Sequence, residues 1–206
     1  MTSALRRTRM TPEARRKTVL DAAAAIVTRE GVSAVTMERV AHDAGASKAL
    51  VYSYFSNRTT LLAQLLLREY PAFRGPAASD AGVGDAQEPF AAQIARTTAD
   101  YIGHVARNGL LLERLLGEPM VAAEVATQHS IGRATTAVWF GKRIARETGI
   151  ERQLAERIAD ILMGVTGAAG RLVVAGDATV DEAAGLATEL ILSAIHGVAE
   201  ERASAT

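Results

Sequence analysis

The sequence predicts an all-α protein of nine helices in two domains, and three observations carry that prediction. Apolar residues recur at intervals of three and four along most of the chain, as on the buried face of an amphipathic helix. Alternating apolar and polar runs, which are typical of strands, are nearly absent. Residues 1–70 hold eleven Lys and Arg against six Asp and Glu, although the 206-residue chain has no net charge. A basic amino-terminal domain that binds a polyanion is therefore expected.

Four helices are predicted in this basic region because capping, stopping or proline residues mark their ends. Thr, Ser and Pro fit the first positions of a helix, and Gly fits the position after the last one. The predicted helices are Pro12–Glu30 between Thr11 and Gly31, a short one between Thr36 and Gly45, Lys48–Phe55 after Ser47, and one from Arg58 to Pro71.

A loop and five further helices are predicted in the rest of the chain. Residues 71–89 are rich in Gly, Pro, Ala, Ser and Asp without any periodicity, which is typical of a loop. We place the boundary between the two domains early, giving domains 1–58 and 59–206. The later helices are Glu88–Arg107, Leu110–Leu116, Val121–Thr148, Glu151–Val174 and Val180–Glu201.

The second and third predicted helices form a helix-turn-helix pattern. Ala41 is small enough for a steep helix crossing, and Gly45, four residues later, tolerates the positive φ of a tight turn. Apolar residues around them have the spacing of a miniature core. In such a motif the second helix enters the DNA major groove with its amino end toward the base edges.

Eight side chains of this motif and its flanks are predicted to contact DNA. Hydroxyl and cationic groups donate to phosphates or base edges, and a small methyl side chain admits close approach to the groove. For the two tyrosines, packing at the rim of the core is an open alternative. The eight are Thr36, Ser47, Lys48, Ala49, Tyr52, Ser53, Tyr54 and Arg58.

The segment from about Arg16 to Leu66 resembles the DNA-binding domain of the TetR (tetracycline repressor-like) family of bacterial regulators. The departures are small: Ala46 replaces a larger aliphatic residue, Tyr54 a common histidine and Arg58 a typical lysine. The resemblance implies a helical effector-binding and dimerisation domain, and a homodimer that pairs through its last two helices. It also implies a palindromic double-stranded DNA operator, a small-molecule effector, and repression as the usual outcome.

Three glycines at Gly164, Gly167 and Gly170 give the next-to-last helix a face of small residues. Such a face lets helices approach closely, either across a dimer or within the chain. The fourth helix, which starts at Arg58, is expected to carry the effector response to the DNA-binding domain.

The effector pocket is expected to be walled mainly by Leu, Val, Met and Ala, so the effector is predicted to be largely apolar. His129 is interpreted as a surface or satisfied core residue. The candidate lining residues are Tyr101, His104, Glu113, Thr136, Trp139 and Met163.

Several other functions are disfavoured by what the sequence lacks. The chain has no cysteine and no recognisable hydrolase, metalloprotease or P-loop motif, so we expect no enzyme, no cofactor and no metal site. No apolar run is long and uninterrupted enough to predict a membrane span, and the cytoplasm is the expected location. The alternative function is a helical protein-interaction adaptor whose helix-turn-helix does not bind DNA; such an adaptor should have lost Lys48, Tyr52 and Arg58.

Overall fold

The computed structural model describes residues 10–70 and 88–204, and all regular structure in these two stretches is helical. This confirms the predicted all-α class. The helices are α1 (Pro12–Glu30), a 3-10 turn (Val32–Ala34), α2 (Met37–Asp43), α3 (Lys48–Tyr54), α4 (Arg58–Glu69), α5 (Phe90–Leu116), α6 (Pro119–Thr148), α7 (Arg152–Ala175) and α8 (Val180–Ser204).

Eight α-helices therefore stand in the described residues where nine were predicted, because the fifth and sixth predicted helices are one helix, α5. The predicted break fell at Asn108 and Gly109, two poor helix formers. A Cβ atom at Gly109 would lie 2.3 Å from Cγ2 of Val174 on α7. Glycine is thus needed for the close approach of α5 and α7, and this packing overrides its low helix propensity. Most of the predicted loop, residues 71–87, lies outside the described residues.

The chain divides into two compact units, which we call the head and the body. The head comprises the described residues up to Leu65 together with Arg114–Glu124. The body comprises the remaining described residues, from Leu66 to Glu113 and from Val125 onward. The predicted domain boundary at residue 58 stays a prediction.

The head has an aliphatic core built on the apolar stripe of α1. Val19, Ala23, Ile26 and Val27 are buried there, as their helical spacing predicts. Arg114 also belongs to this unit, since its guanidinium donates hydrogen bonds to the carbonyl oxygens of Val27 and Thr28 at the end of α1. The carbonyls left unpaired at the end of α1 thereby gain donors.

The body consists mainly of the long helices α5–α8, and α7 packs along α8. A Cβ atom at Gly141 on α6 would lie 2.7 Å from the Cα atom of Glu156 on α7, so these two backbones nearly touch. Two buried clusters lie along α7 and α8. Ala159 packs with Ile191 and Ile195 in one, and Ala169 packs with three alanines of α8 in the other.

Helix α7 presents much of its apolar surface to solvent in the single chain. By length and composition it is the one helix in the described part of the chain that could cross a membrane, a test that core helices of soluble proteins also pass. Ile161 is 71% exposed on α7, and Leu186 is 54% exposed on α8.

Candidate functional site

Helices α2 and α3 are held in a fixed geometry by caps and by the turn between them. The Thr36 hydroxyl oxygen accepts from the Arg39 backbone N–H at 3.1 Å, and the Ser47 hydroxyl oxygen accepts from that of Leu50 at 3.2 Å. Gly45 has φ +59°, and Ala46 N–H donates to the Ala41 carbonyl at 2.9 Å. These local bonds end α2 at Asp43 and start α3 at Lys48, with four residues between the two helices, as the sequence predicts.

The core beneath the turn buries one face of each of these two helices. Val40 of α2 and Val51 of α3 have no exposed surface, and Ala41 is 4% exposed. Because α3 is only seven residues long, this burial and the Ser47 cap stabilise it more than its intrinsic propensity does.

Four of the predicted DNA-contacting residues share the exposed face of α3: Lys48, Ala49, Tyr52 and Ser53. Lys48 forms an ion pair with Glu38 of α2, and its ammonium lies 5.7 Å from the centroid of the Tyr52 ring. The Ser53 hydroxyl donates to the Leu50 carbonyl at 2.7 Å, which leaves its oxygen as an acceptor. This face thus offers a cation, a phenol and a small methyl group side by side.

The ion pair fixes the charge states on this face. The hydrogen bond from the Lys48 ammonium lowers the pKa of Glu38, and the Glu38 carboxylate raises the pKa of Lys48. Lys48 therefore stays cationic throughout the neutral range. Both side chains are exposed, so a phosphate can compete with Glu38 for the ammonium.

Two other predicted contacts are placed differently. The Arg58 guanidinium donates to the carbonyls of Val35 at 3.0 Å and Val32 at 2.7 Å, so it ties α4 to the 3-10 turn. Tyr54 is half-buried, with its ring centroid 6.4 Å from that of Phe55. Their contacts with DNA stay predictions, and the rim-packing alternative fits the position of Tyr54.

A separate cluster of charges joins α1 to α2. Arg39 donates two hydrogen bonds to Glu30, at 3.1 and 2.7 Å, and its Nε lies 3.7 Å from the Asp43 carboxylate. The Arg39 pairing with Glu30 raises the pKa of Arg39. Arg39 thereby ties α2 to the end of α1.

The body encloses a cavity of about 430 Å³ between α5, α6, α7 and α8. Of the predicted lining residues, Tyr101, Thr136 and Met163 reach its wall. The wall also carries Tyr70, Ile94, Thr97, Thr98, His129, Arg133, Phe140, Ile144, Ala159, Leu162, Gly164, Thr166, Gly167, Arg171, Ile191 and Ile195.

Three predicted lining residues lie outside this wall. A His104 ring nitrogen hydrogen-bonds the Glu69 carbonyl, which turns the ring toward the end of α4. Glu113 is exposed near the end of α5. The Trp139 and Phe140 rings meet edge to face, with centroids 4.7 Å apart. Of these two residues, Phe140 lines the cavity.

The wall is more aromatic and more polar than the Leu, Val, Met and Ala wall expected from the sequence. His129 lines it and packs against Tyr70 with ring centroids 5.9 Å apart, which corrects its interpretation as a surface or satisfied core residue. One signal could have found it: His129, Arg133, Thr136 and Phe140 recur at intervals of four, three and four on α6. That spacing describes a single helix face.

Tyr101 is the most perturbed ionisable group of the cavity. Burial raises its pKa, and the charge and hydrogen bond of the neighbouring Tyr70 raise it further, while Arg171 acts in the opposite direction. Tyr101 therefore stays a neutral hydrogen-bonding phenol across the physiological range.

The three glycines of α7 do not share one role. A Cβ atom at Gly170 would lie 3.0 Å from Cγ1 of Val105 on α5, so this glycine serves packing within the chain. Gly164 and Gly167 line the cavity. Their small size leaves space in the wall.

Comparisons with known proteins agree on one family. Residues 19–65 match the family described as bacterial regulatory proteins, tetR family. An HTH-type transcriptional repressor of Streptomyces coelicolor is 36% identical over 55 residues, which are 27% of this chain and 29% of that protein. The match thus spans less than a third of the relative's length.

Solved structures resemble nearly the whole chain. A TetR-like transcriptional regulator from Rhodococcus sp. RHA1 is 25% identical with a TM-score of 0.61, covering 92% of this chain and 100% of that one. The SmeT–triclosan complex is 18% identical with a TM-score of 0.65, covering 88% and 91% of the two chains.

Proposed function

We propose that this chain, which belongs through residues 19–65 to the tetR family of bacterial regulatory proteins, is a sequence-specific DNA-binding transcriptional repressor. The observation that carries the proposal is the exposed face of α3, where Lys48, Ala49 and Tyr52 stand on a helix fixed by the Ser47 cap and the Gly45 turn. A rigid short helix with exposed donors fits the major groove.

On this proposal Lys48 and Tyr52 donate to phosphates or base edges, and Ala49 allows α3 to enter the groove deeply. Ser47 and Thr36 lie at helix amino ends, where free backbone N–H groups attract phosphates. Arg58 acts indirectly, because its bonds to Val32 and Val35 hold the start of α4 against the 3-10 turn.

The active form is proposed to be a homodimer that pairs through α7 and α8. Support comes from apolar side chains that the single chain leaves exposed on these helices, among them Ile161, Leu172, Leu186 and Leu190. Pairing with a second copy of the chain would remove this apolar surface from water. A two-fold dimer reads a palindrome whose half-sites are about 34–36 Å apart or a multiple of that distance.

The body cavity is proposed to bind a small-molecule effector in the cytoplasm. Its volume of about 430 Å³ and its mixed wall suit a drug-sized molecule. A solved structure of this fold that holds triclosan supports the idea. An effector that favours a conformation with poor operator affinity would change that affinity about 5- to 150-fold, and no catalysis is required.

The test is a fluorescence anisotropy titration of the purified protein against DNA from upstream of its own gene, at two salt concentrations, with scrambled competitor. Specific binding of two protomers, or a multiple of two, per site is expected. If scrambled DNA competes as well as the upstream DNA itself, the adaptor alternative is favoured instead, and the basic surface binds DNA without specificity.

A further inference from the structure

We propose that the body cavity takes a small amphipathic anion, with an apolar part at one end and a carboxylate-like acidic group at the other. The inference deepens the proposed function, because that molecule would be the effector. Its first support is the charge of the wall: the described lining residues include two arginines, Arg133 and Arg171, and no Asp or Glu.

The two arginines differ in what they can offer. Arg133 is committed to Asp160, to whose carboxylate its Nε donates at 2.5 Å and to whose carbonyl its Nη2 donates at 2.6 Å. Arg171 has no carboxylate partner among the described residues. Its guanidinium would lie 3.8 Å from a Cβ atom at Gly167, one turn earlier on α7. Among the described lining residues, Arg171, which is exposed to solvent, is therefore the arginine available to bind an anion.

The cavity also has two chemically different ends. Along α7 its wall runs from Ala159 to Arg171, a rise of about 18 Å. At the Ala159 end, Ile144, Ile191 and Ile195 belong to the same buried cluster. Apolar surface from three helices, α6, α7 and α8, therefore meets at that end.

The opposite end is polar. Tyr101 packs against the second cluster, beside Ala169, and interacts with Tyr70 and Arg171. His129 reaches the same end through its contact with the Tyr70 ring. Helices α5, α6 and α7 thus each run from the apolar end of the cavity to the polar one.

The middle of the wall limits where an acidic group can bind. The hydroxyls of Thr97, Thr136 and Thr166 each donate to a backbone carbonyl of their own helix, at 2.8, 2.9 and 2.9 Å. They thus present methyl groups and acceptor oxygens, which suit no carboxylate. Arg171 and Tyr101 supply donors at the polar end, and an arginine can bind a carboxylate with two parallel hydrogen bonds.

Isothermal titration calorimetry on the full chain without DNA tests this directly. The probes are decanoate and phenylbutyrate, each paired with its uncharged alcohol, decanol or phenylbutanol. We expect at least one acid to bind about tenfold or more tightly than its alcohol. The only tryptophan, Trp139, contacts the lining residue Phe140 and supplies a second readout by fluorescence.

Two variants locate the acidic group. Arg171→Gln should weaken binding of the acid about tenfold or more and leave the alcohol unchanged. Arg157→Gln, which removes an exposed arginine of the same helix outside the cavity wall, should bind both as the unmodified protein does.

Three results would overturn the proposal: no binding of either acid, equal affinity for acid and alcohol, or wild-type affinity in Arg171→Gln. Because no DNA is present, failure of operator binding cannot produce any of them. Conversely, specific operator binding with none of the acids bound would leave the proposed repressor in place and remove only this inference.

Discussion

The head and the body both bury aliphatic side chains, but they differ in how densely those side chains are packed. In the head, Ile26 is fully buried on the α1 stripe, and caps and turns fix where its neighbouring helices begin. In the body, Ile144 is 1% exposed yet borders a cavity of about 430 Å³. Both units thus shield aliphatic side chains from bulk water. In the body, however, some of these side chains border a cavity and are not surrounded by protein atoms on every side. The head is a closely packed unit with an exposed helix face, and the body is a helical unit with a cavity.

The sharpest test of this contrast removes the same atoms from both units. Ile26→Ala should lower the free energy of unfolding by about 4 kcal/mol, and Ile144→Ala by about 2 kcal/mol. The loss is smaller at Ile144 because the side of this residue that faces the cavity makes few contacts, so fewer contacts are lost on truncation. Urea unfolding followed by circular dichroism measures both values.

Ile144→Val provides the matched control, since it removes one methylene from the same site and should cost about 1 kcal/mol. Equal losses in Ile26→Ala and Ile144→Ala would contradict the contrast, because they would mean that the cavity wall is packed as densely as the head.

Glycine substitutions separate the two units in a second way. In the head, Gly45 supplies a backbone conformation, whereas in the body Gly141 supplies space for the Glu156 backbone. Gly141→Ala should therefore lower the free energy of unfolding by about 1–3 kcal/mol, since neither backbone can move without shifting a helix. Thermal and urea unfolding measure the loss.

The matched control is Gly185→Ala on the exposed side of α8, where an added Cβ atom meets nothing within 4 Å. Alanine there should stabilise the protein by about 0.5–1 kcal/mol through its higher helix propensity. A gain in stability from Gly141→Ala as well would show that α6 and α7 are not in backbone contact.

The sequence predicts the head in detail because its signals are local. Thr36, Gly45 and Ser47 act on residues at most four positions away, so their roles follow from spacing alone. The bounds of α2 and α3 agree with prediction for this reason. Arg58 and Arg114 depart. Their bonds to backbone carbonyls of the head span more than twenty and more than eighty residues respectively, and neither leaves a local pattern.

The cavity could be predicted only in part, because its wall combines residues of four helices. Tyr101 and His104 are three positions apart on α5, yet one lines the cavity and the other bonds the Glu69 carbonyl. Periodicity identifies the buried side of a helix but does not tell which part of that side borders a cavity. Trp139 and Phe140 differ in the same way on α6.

The contrast also predicts which unit controls affinity for DNA. Lys48→Ala should weaken operator binding about tenfold at low salt and reduce the slope of log K against log salt by about 1. Tyr52→Phe should have a smaller effect, because it removes only a hydroxyl donor. Anisotropy titrations at several salt concentrations measure both. Lys142→Ala, which removes an exposed lysine of the body, is the control and should leave the slope unchanged.

The smallest expected effect concerns Glu38, the acid that pairs with Lys48. Glu38→Gln should raise operator affinity by at most about fivefold, because the ammonium no longer has to leave a carboxylate before it binds a phosphate. The same anisotropy assay measures the gain, and in the Lys48→Ala background the gain should disappear. A full gain in that background would show that Glu38 acts by its own repulsion of DNA.

The Glu38–Lys48 pair also gives the head a pH dependence with a defined sign. The folded head lowers the pKa of Glu38, so the stabilisation it brings is present above the pKa of the unfolded chain and is lost as pH falls through the lowered value. Subtracting the stability of Glu38→Gln from that of the unmodified protein across acidic pH isolates this contribution. On the proposed function a phosphate takes the place of Glu38 when DNA binds, so the contribution should be smaller in the operator complex than in the free protein.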